Sequence, residues 1–228
     1  MTPIRFARYR LRTTDIDAAR AFYTALFAHG DALDIVTLPP DAIARGARPH
    51  WLGHLAVGDV ESTLAGFVSR GAMQLGPTRS NDGGGAIAIV RDAGGAIVAL
   101  ESKGVASTAP HGVWHGLNTN DAPRAVETYR ALCGWDFLEP VEVENAGAMT
   151  PFAWDHARVP VGSIAGIERR SGVHPHWLFH FAVPDLDRAM DIVRERGGLV
   201  LGPFVSPSGD RIAVCDDPQG AAFAMRSA

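Results

Sequence analysis

The sequence of 228 residues predicts an α+β fold assembled from four βαβββ units, the first of them truncated. Three observations predict it. Residues 49–77 (PHWLGHLAVGDVESTLAGFVSRGAMQLGP) and 175–203 (PHWLFHFAVPDLDRAMDIVRERGGLVLGP) agree at 13 of 29 positions at a shift of 126. Residues 11–27 and 117–133 agree at 7 of 17. In all four segments a short apolar or alternating run ends in a small or polar residue plus Asp, and a helical pattern follows: Thr14-Asp15, Gly58-Asp59, Asn120-Asp121, Pro184-Asp185. Self-similarity at a fixed spacing marks a duplicated structural unit. The Asp-to-Asp spacings are 44, 62 and 64 residues, so the first unit lacks most of a hairpin.

Each element follows from local pattern. Strand-like runs occupy 4–13, 51–58, 86–91, 96–101, 113–119, 137–144, 150–156, 160–167, 177–183, 212–216 and 221–226, with shorter ones near 34–38, 73–77 and 199–203. Helical periodicity covers 15–28, 59–71, 121–133 and 185–197. Each opening Asp suits an N-cap, because its carboxylate accepts from the free N–H groups of the first turn. Gly71, Gly134 and Gly197-Gly198 suit the C-terminal ends. Asp92-Ala93-Gly94-Gly95 and Asp217-Pro218-Gln219-Gly220 form equivalent turns before the final strand of each half. The segment Ser102–Pro110 reads as a linker between domains 1–104 and 105–228.

Composition sets the outer bounds. Hydrophobic residues make up 46% and charged residues 20%, the balance of a soluble globular chain. A net charge of −4 argues against a nucleic-acid or anionic-membrane binder, which needs a basic face. No apolar run approaches membrane-span length, and the charged N-terminus lacks a signal core. Cys133 and Cys215 offer neither a disulfide framework nor metal spacing, which fits reduced thiols and a cytoplasmic location.

The paired βαβββ units, the x-Asp helix openings, the duplicated Pro-His-Trp-Leu strands and Asp217-Pro218-Gln219-Gly220 together resemble the vicinal oxygen chelate superfamily, which includes glyoxalase I, extradiol dioxygenases and bleomycin-resistance proteins. The resemblance covers essentially the whole chain and is closest to the tandem "glyoxalase-like" type. It implies two glyoxalase-like domains with cup-shaped sheets. It also implies where a metal would sit: a ligand seven residues before each helix-opening Asp, and a Glu four residues after the Gly of the final turn. Those six positions hold Arg8, Leu52, Trp114, Leu178, Ala99 and Ala224, none of which suits a divalent ion. No metal and no other cofactor is therefore expected.

Other residues face the same way as those positions. Strand side chains alternate, so His54 and His180, five residues before their Asp, should point into the cups. Glu101 lies two residues beyond the usual Glu, so a displaced site of His54 and Glu101 is conceivable, although antiparallel strands would carry the two apart. Arg226 matches Glu101 in the repeat. Arg8, Arg10 and Arg12 share a face that could attract an anion or could be a solvated edge. Trp114, Gly116 and Asn118 share another, suited to a flat organic ligand. His50 and His176 read as structural corners, and Trp51 and Trp177 as residues packed beneath helices. The ligand-binding candidates are His54, His180, Trp114, Asn118, Arg10 and Glu101.

Two functions fit. One is a small-molecule-binding, bleomycin-resistance-like protein without metal. The other is a glyoxalase-like lyase or dioxygenase using a displaced metal or histidine acid–base chemistry. The expected partner is a small organic molecule, with no nucleic acid and no membrane; a homodimer is left open.

Overall fold

The computed structural model describes residues 3–27, 33–103, 112–143, 147–156, 158–168, 170–206 and 208–227. The first sequence half contains β1 (Arg5–Thr13), α1 (Ile16–Leu26), β2 (Asp34–Thr37), α2 (Pro40–Ala44), β3 (His50–Ala56), α3 (Val60–Ser69), β4 (Met73–Gln74), β5 (Arg79–Ser80), β6 (Ala86–Arg91) and β7 (Ile97–Glu101). The second contains β8 (Trp114–Thr119), α4 (Ala122–Cys133), β9 (Asp136–Phe137), β10 (Val141–Val143), β11 (Gly147–Ala153), β12 (Gly162–Gly166), β13 (His176–Val183), α5 (Leu186–Glu195), β14 (Leu199–Val205), β15 (Arg211–Asp216) and β16 (Ala222–Ser227). The fold is α+β, with two mixed sheets. One runs β2-β1-β3-β7-β6-β4 with β5 on β6; the other runs β10-β11-β12-β8-β13-β16-β15-β14 with β9 on β11.

The four long helices start where the Asp residues sit. Asp15, Asp59, Asp121 and Asp185 each accept a hydrogen bond from first-turn N–H groups, including Ala18, Glu61, Arg124 and Arg188. Gly134 closes α4 at φ 69°, a left-handed conformation that a side chain resists. The first unit is short: between α1 and β3 the described residues hold β2 and the five-residue α2, which periodicity missed. The run expected as one strand at 137–144 is two, β9 and β10, interrupted around Pro140. Most of the expected linker, from residue 104, lies outside the described residues.

The sheets follow the two sequence halves, but the compact units do not. One unit comprises Met1–Arg8, Gly53–Ser107 and Trp114–Trp177; the other comprises Tyr9–Leu52, Thr108–Val113 and Leu178–Ala228. Within the first unit α3 packs on α4, and within the second α1 packs on α5. A buried polar chain within each unit draws residues from both halves. In one, Trp177 Nε1 donates to Tyr129 Oη (3.3 Å), and Tyr129 donates to Asp92 Oδ2 (2.9 Å). In the other, Trp51 Nε1 donates to Tyr23 Oη (3.0 Å), and Tyr23 donates to Asp217 Oδ2 (3.1 Å). The remaining oxygen of each Asp closes its own turn, accepting from Ala96 N–H or from Gln219 and Ala221 N–H. In both chains Trp and Tyr come from one half and Asp from the other. Burial raises both carboxyl pKa values, against the hydrogen bonds that lower them.

Around these chains the cores are aromatic. Trp135 stacks on Tyr129 and on Phe152 in the first unit, with ring centroids 4.9 and 4.4 Å apart. Phe223 and Trp51 meet Tyr23 edge-on in the second. Trp51 and Trp177 thus pack under helices, which puts His54 and His180, by strand alternation, on the opposite faces of their sheets.

Candidate functional site

The strongest polar cluster lies at the end of β3 and β7. These strands are parallel, with His54 beside Ala99 and Ala56 beside Glu101. The sequence argument against a displaced pair assumed antiparallel strands; parallel pairing corrects it, because two steps forward on each strand move together. His54 Nδ1 and Glu101 Oε2 stand 2.6 Å apart, both essentially buried. Arg8 NH1 approaches Glu101 Oε1 at 3.5 Å, and Asn81 Nδ2 donates to the same oxygen at 3.1 Å. Burial alone would raise the Glu101 pKa. The His54 hydrogen bond and charge, the Arg8 charge and the Asn81 bond outweigh it, and the pKa is lowered. An ionised Glu101 accepts the Nδ1 proton of His54, which assigns the tautomer and leaves Nε2 as the other ring nitrogen.

This cluster does not fit a transition metal. Two protein donors are too few for a closed or catalytic site, and an arginine sits on the carboxylate. Among the described residues no group of three His, Cys, Asp or Glu side chains converges. Leu52, Leu178, Ala99 and Ala224, at four of the positions implied for metal ligands, are buried apolar side chains.

The corresponding place in the second half differs by one residue. Strands β13 and β16 are parallel in the same register, with His180 beside Ala224 and Ala182 beside Arg226. Arg226 therefore starts where Glu101 starts. Its Nε is buried and has no hydrogen-bond partner among the described residues. Its NH2 lies 3.6 Å from Asp210 Oδ2.

The other sequence candidates fall elsewhere. Arg10 Nε donates to Asp34 Oδ2 at 2.9 Å, and β1 lies between β2 and β3, so the solvated-edge alternative for this face is corrected. Trp114 and Asn118 lie on β8; the Asn118 amide meets His176 Nε2 at 3.4 Å, and the Oγ of Ser163, paired with Gly116, is buried without a partner among the described residues. His50 and His176 make one local corner, each Nδ1 2.7 Å from the carbonyl oxygen two residues back. His115 is a core residue: Nδ1 donates to the Val161 carbonyl, the ring stacks on Phe6, and burial pushes its pKa down to about 4. Burial pushes the Cys215 thiol up to about 12 and Cys133 higher, so neither is a ready nucleophile. Sequence reasoning missed Arg8 and Asn81 as partners of Glu101, and it missed both Trp–Tyr–Asp chains. The internal identities Tyr23/Tyr129 and Trp51/Trp177 were the available signal for the latter.

Comparison with known proteins identifies the family and the fold. Residues 109–225 match the model of the Glyoxalase/Bleomycin resistance protein/Dioxygenase superfamily, and the chain belongs to that superfamily. CFP32 of Mycobacterium tuberculosis, which carries a glyoxylase name, is 28% identical over 242 residues, covering 94% of this chain and 91% of its own length. DauV, an anthracycline biosynthesis protein of Streptomyces sp. strain C5, is 30% identical over 182 residues, covering 77% of this chain and 64% of its own. Among solved structures, the 2,3-dioxygenase LapB from Pseudomonas sp. KL28 superposes with a TM-score of 0.67 at 13% identity, covering 100% of this chain and 93% of that one. The Mn(II)-bound glyoxalase from Novosphingobium aromaticivorans gives 0.64 at 15%, covering 99% and 82%. At these identities the structural likeness shows the fold. No helix among the described residues is long and apolar enough to cross a membrane.

Proposed function

We propose that this member of the glyoxalase/bleomycin-resistance/dioxygenase superfamily binds a small organic molecule on its helix-free sheet face without a catalytic metal. One observation carries the reading. The superfamily's metal positions hold no donor, and the one displaced His–carboxylate pair is closed by Arg8 and Asn81. An arginine that neutralises a carboxylate competes with any cation for it.

Elemental analysis after dialysis against chelator tests the metal half of the proposal. Well under one equivalent of metal per chain is expected. Thermal-shift screening against small organic acids, phenols and neutral aromatics, with and without chelator, tests the binding half. Stabilisation that chelator leaves unchanged supports it. Tightly held iron, nickel or zinc coordinated by His54 or His180 would overturn it.

One observation favours a second reading, a metal-free lyase. The His54–Glu101 pair at 2.6 Å is the arrangement by which a carboxylate orients a histidine base. Under that reading any turnover is lost in His54→Gln and survives chelator.

A further inference from the structure

The proposed binding face leaves open the chemical class of the ligand, and the two halves read against each other supply it. In the first half the space beside the imidazole is filled from within: Glu101 places a carboxylate on His54 Nδ1. In the second half the same strand register carries Arg226 instead, and no carboxylate from this pair of strands replaces the one lost. A buried N–H of a guanidinium without an acceptor is unfavourable, and a carboxylate is its best-matched partner. The nearest acid, Asp210, lies 3.6 Å from NH2 and also accepts the Ser208 hydroxyl at 2.8 Å; it offsets the charge of Arg226 without reaching Nε.

Apart from Asp210, the strands beside Arg226 present apolar residues on its face. Ile212 pairs with Arg226 and Val214 with Ala224, on the face that carries His180. Across the next strand, Phe204 pairs with Ile212 and Leu201 with Val214. Leu201 is 65% exposed and Phe204 53% exposed, so a large apolar wall stands in water beside the arginine. The repeat places Leu75 and Thr78 at the corresponding positions of the first half, and the next residue, Arg79, lies opposite Ile87. Ile87 and Ile89 stand opposite Glu101 and Ala99 as Ile212 and Val214 stand opposite Arg226 and Ala224, so it is the aromatic end of the wall, Phe204, that belongs to the second half, as the unpartnered arginine does.

We infer that His180 and Arg226 receive the carboxylate of a small apolar organic acid, whose hydrocarbon or aromatic body lies on Ile212, Val214, Leu201 and Phe204. The ligand's carboxylate takes the place that Glu101 holds in the first half, accepting from Arg226 Nε–H and from the imidazole of His180. The apolar body covers side chains now in contact with water. This rests on the small-molecule-binding reading above and narrows it to one ligand class and one half of the chain.

Benzoate and its neutral analogue benzamide are the probes, followed by the side-chain Arg226 Nε–H resonance and by calorimetry on the full chain. Benzoate should move that resonance saturably and benzamide should not. Arg226→Gln should weaken benzoate by about tenfold or more, the loss of a charge-assisted contact, and Arg226→Lys, which keeps the charge without the planar donor, should weaken it less. Arg226→Glu, which rebuilds the first-half arrangement, should abolish binding; circular dichroism and the Trp–Tyr–Asp amide signals report that each variant is folded. Equal binding of benzamide, or unchanged affinity in folded Arg226→Gln, would overturn the carboxylate assignment while leaving small-molecule binding standing. Failure of both probes and of every compound in the thermal-shift screen would overturn both. A benzoate-insensitive dimer that buries Phe204 would overturn the assignment by giving the wall to a second copy.

Discussion

His54 and His180 occupy equivalent positions on equivalent strands, yet one is enclosed in a charge network while the strand beside the other carries an arginine where the first carries a glutamate. Glu101 makes the first arrangement self-sufficient: carboxylate, imidazole, guanidinium and amide satisfy one another. The second lacks that carboxylate: Arg226 stands at the register position of Glu101, and its Nε has no partner among the described residues. The two halves keep the same strand register and differ there by one exchange, Glu101 in the first and Arg226 in the second, on which the proposed split between a structural and a binding role rests. The parts that did not diverge sit beneath the helices. Trp51–Tyr23–Asp217 and Trp177–Tyr129–Asp92 are the same device built twice.

The largest expected effect separates the two ends. Glu101→Ala leaves His54 and Arg8 without their buried anion and should cost about 3–5 kcal/mol in denaturant unfolding, whereas Arg226→Ala, at a partly exposed pair, should cost under about 1 kcal/mol. Equal costs would break the comparison.

Next come the shared cores. Tyr23→Phe and Tyr129→Phe each leave a buried carboxylate without its phenol donor and should cost about 1–3 kcal/mol, with similar values at the two sites. A neutral result at one site alone would show that the two chains are equivalent only in geometry.

The helix caps are smaller and uniform. Asp59→Ala, Asp121→Ala and Asp185→Ala should each cost about 1 kcal/mol through lost bonds to first-turn N–H groups. Thermal melts of the three variants check this.

The smallest effect is in pH dependence, and its sign differs between networks. Glu101 has a lowered folded pKa, so its contribution is present above the ordinary value of 4.5 and lost as pH falls through the lowered one. Asp92 and Asp217 have raised pKa values, so what they contribute is present below 3.8 and fades as pH rises through the raised ones. Glu101→Gln should therefore flatten the acid side of a stability-against-pH curve. An unchanged acid limb would remove Glu101 as its source.

Much of this was legible in the sequence. The repeat, the four Asp caps, the helix ends and the faces of His54 and His180 follow from periodicity and capping chemistry, which are local. The pairing of His54 with Glu101 was half legible: parity put both on one face, but strand direction decided whether they meet, and direction is set by connections far along the chain. The Trp–Tyr–Asp chains were not read at all, because each draws its Asp from the other half, and a repeat shows equivalence without showing which copies touch. Arg10 belongs to a face of three arginines that sequence leaves open to an anion; Asp34, on a neighbouring strand, takes it. The repeat aligns Arg226 with Glu101, but an orphan Nε–H is visible only in coordinates.

Benzoate affinity and unfolding free energy, measured together on Glu101→Gln and Arg226→Gln, test the division of roles most directly. A crossed result is expected: Glu101→Gln loses stability and keeps its benzoate affinity, while Arg226→Gln keeps its stability and loses about tenfold or more in affinity. Parallel losses, with both variants falling in affinity alike or in stability alike, would contradict it.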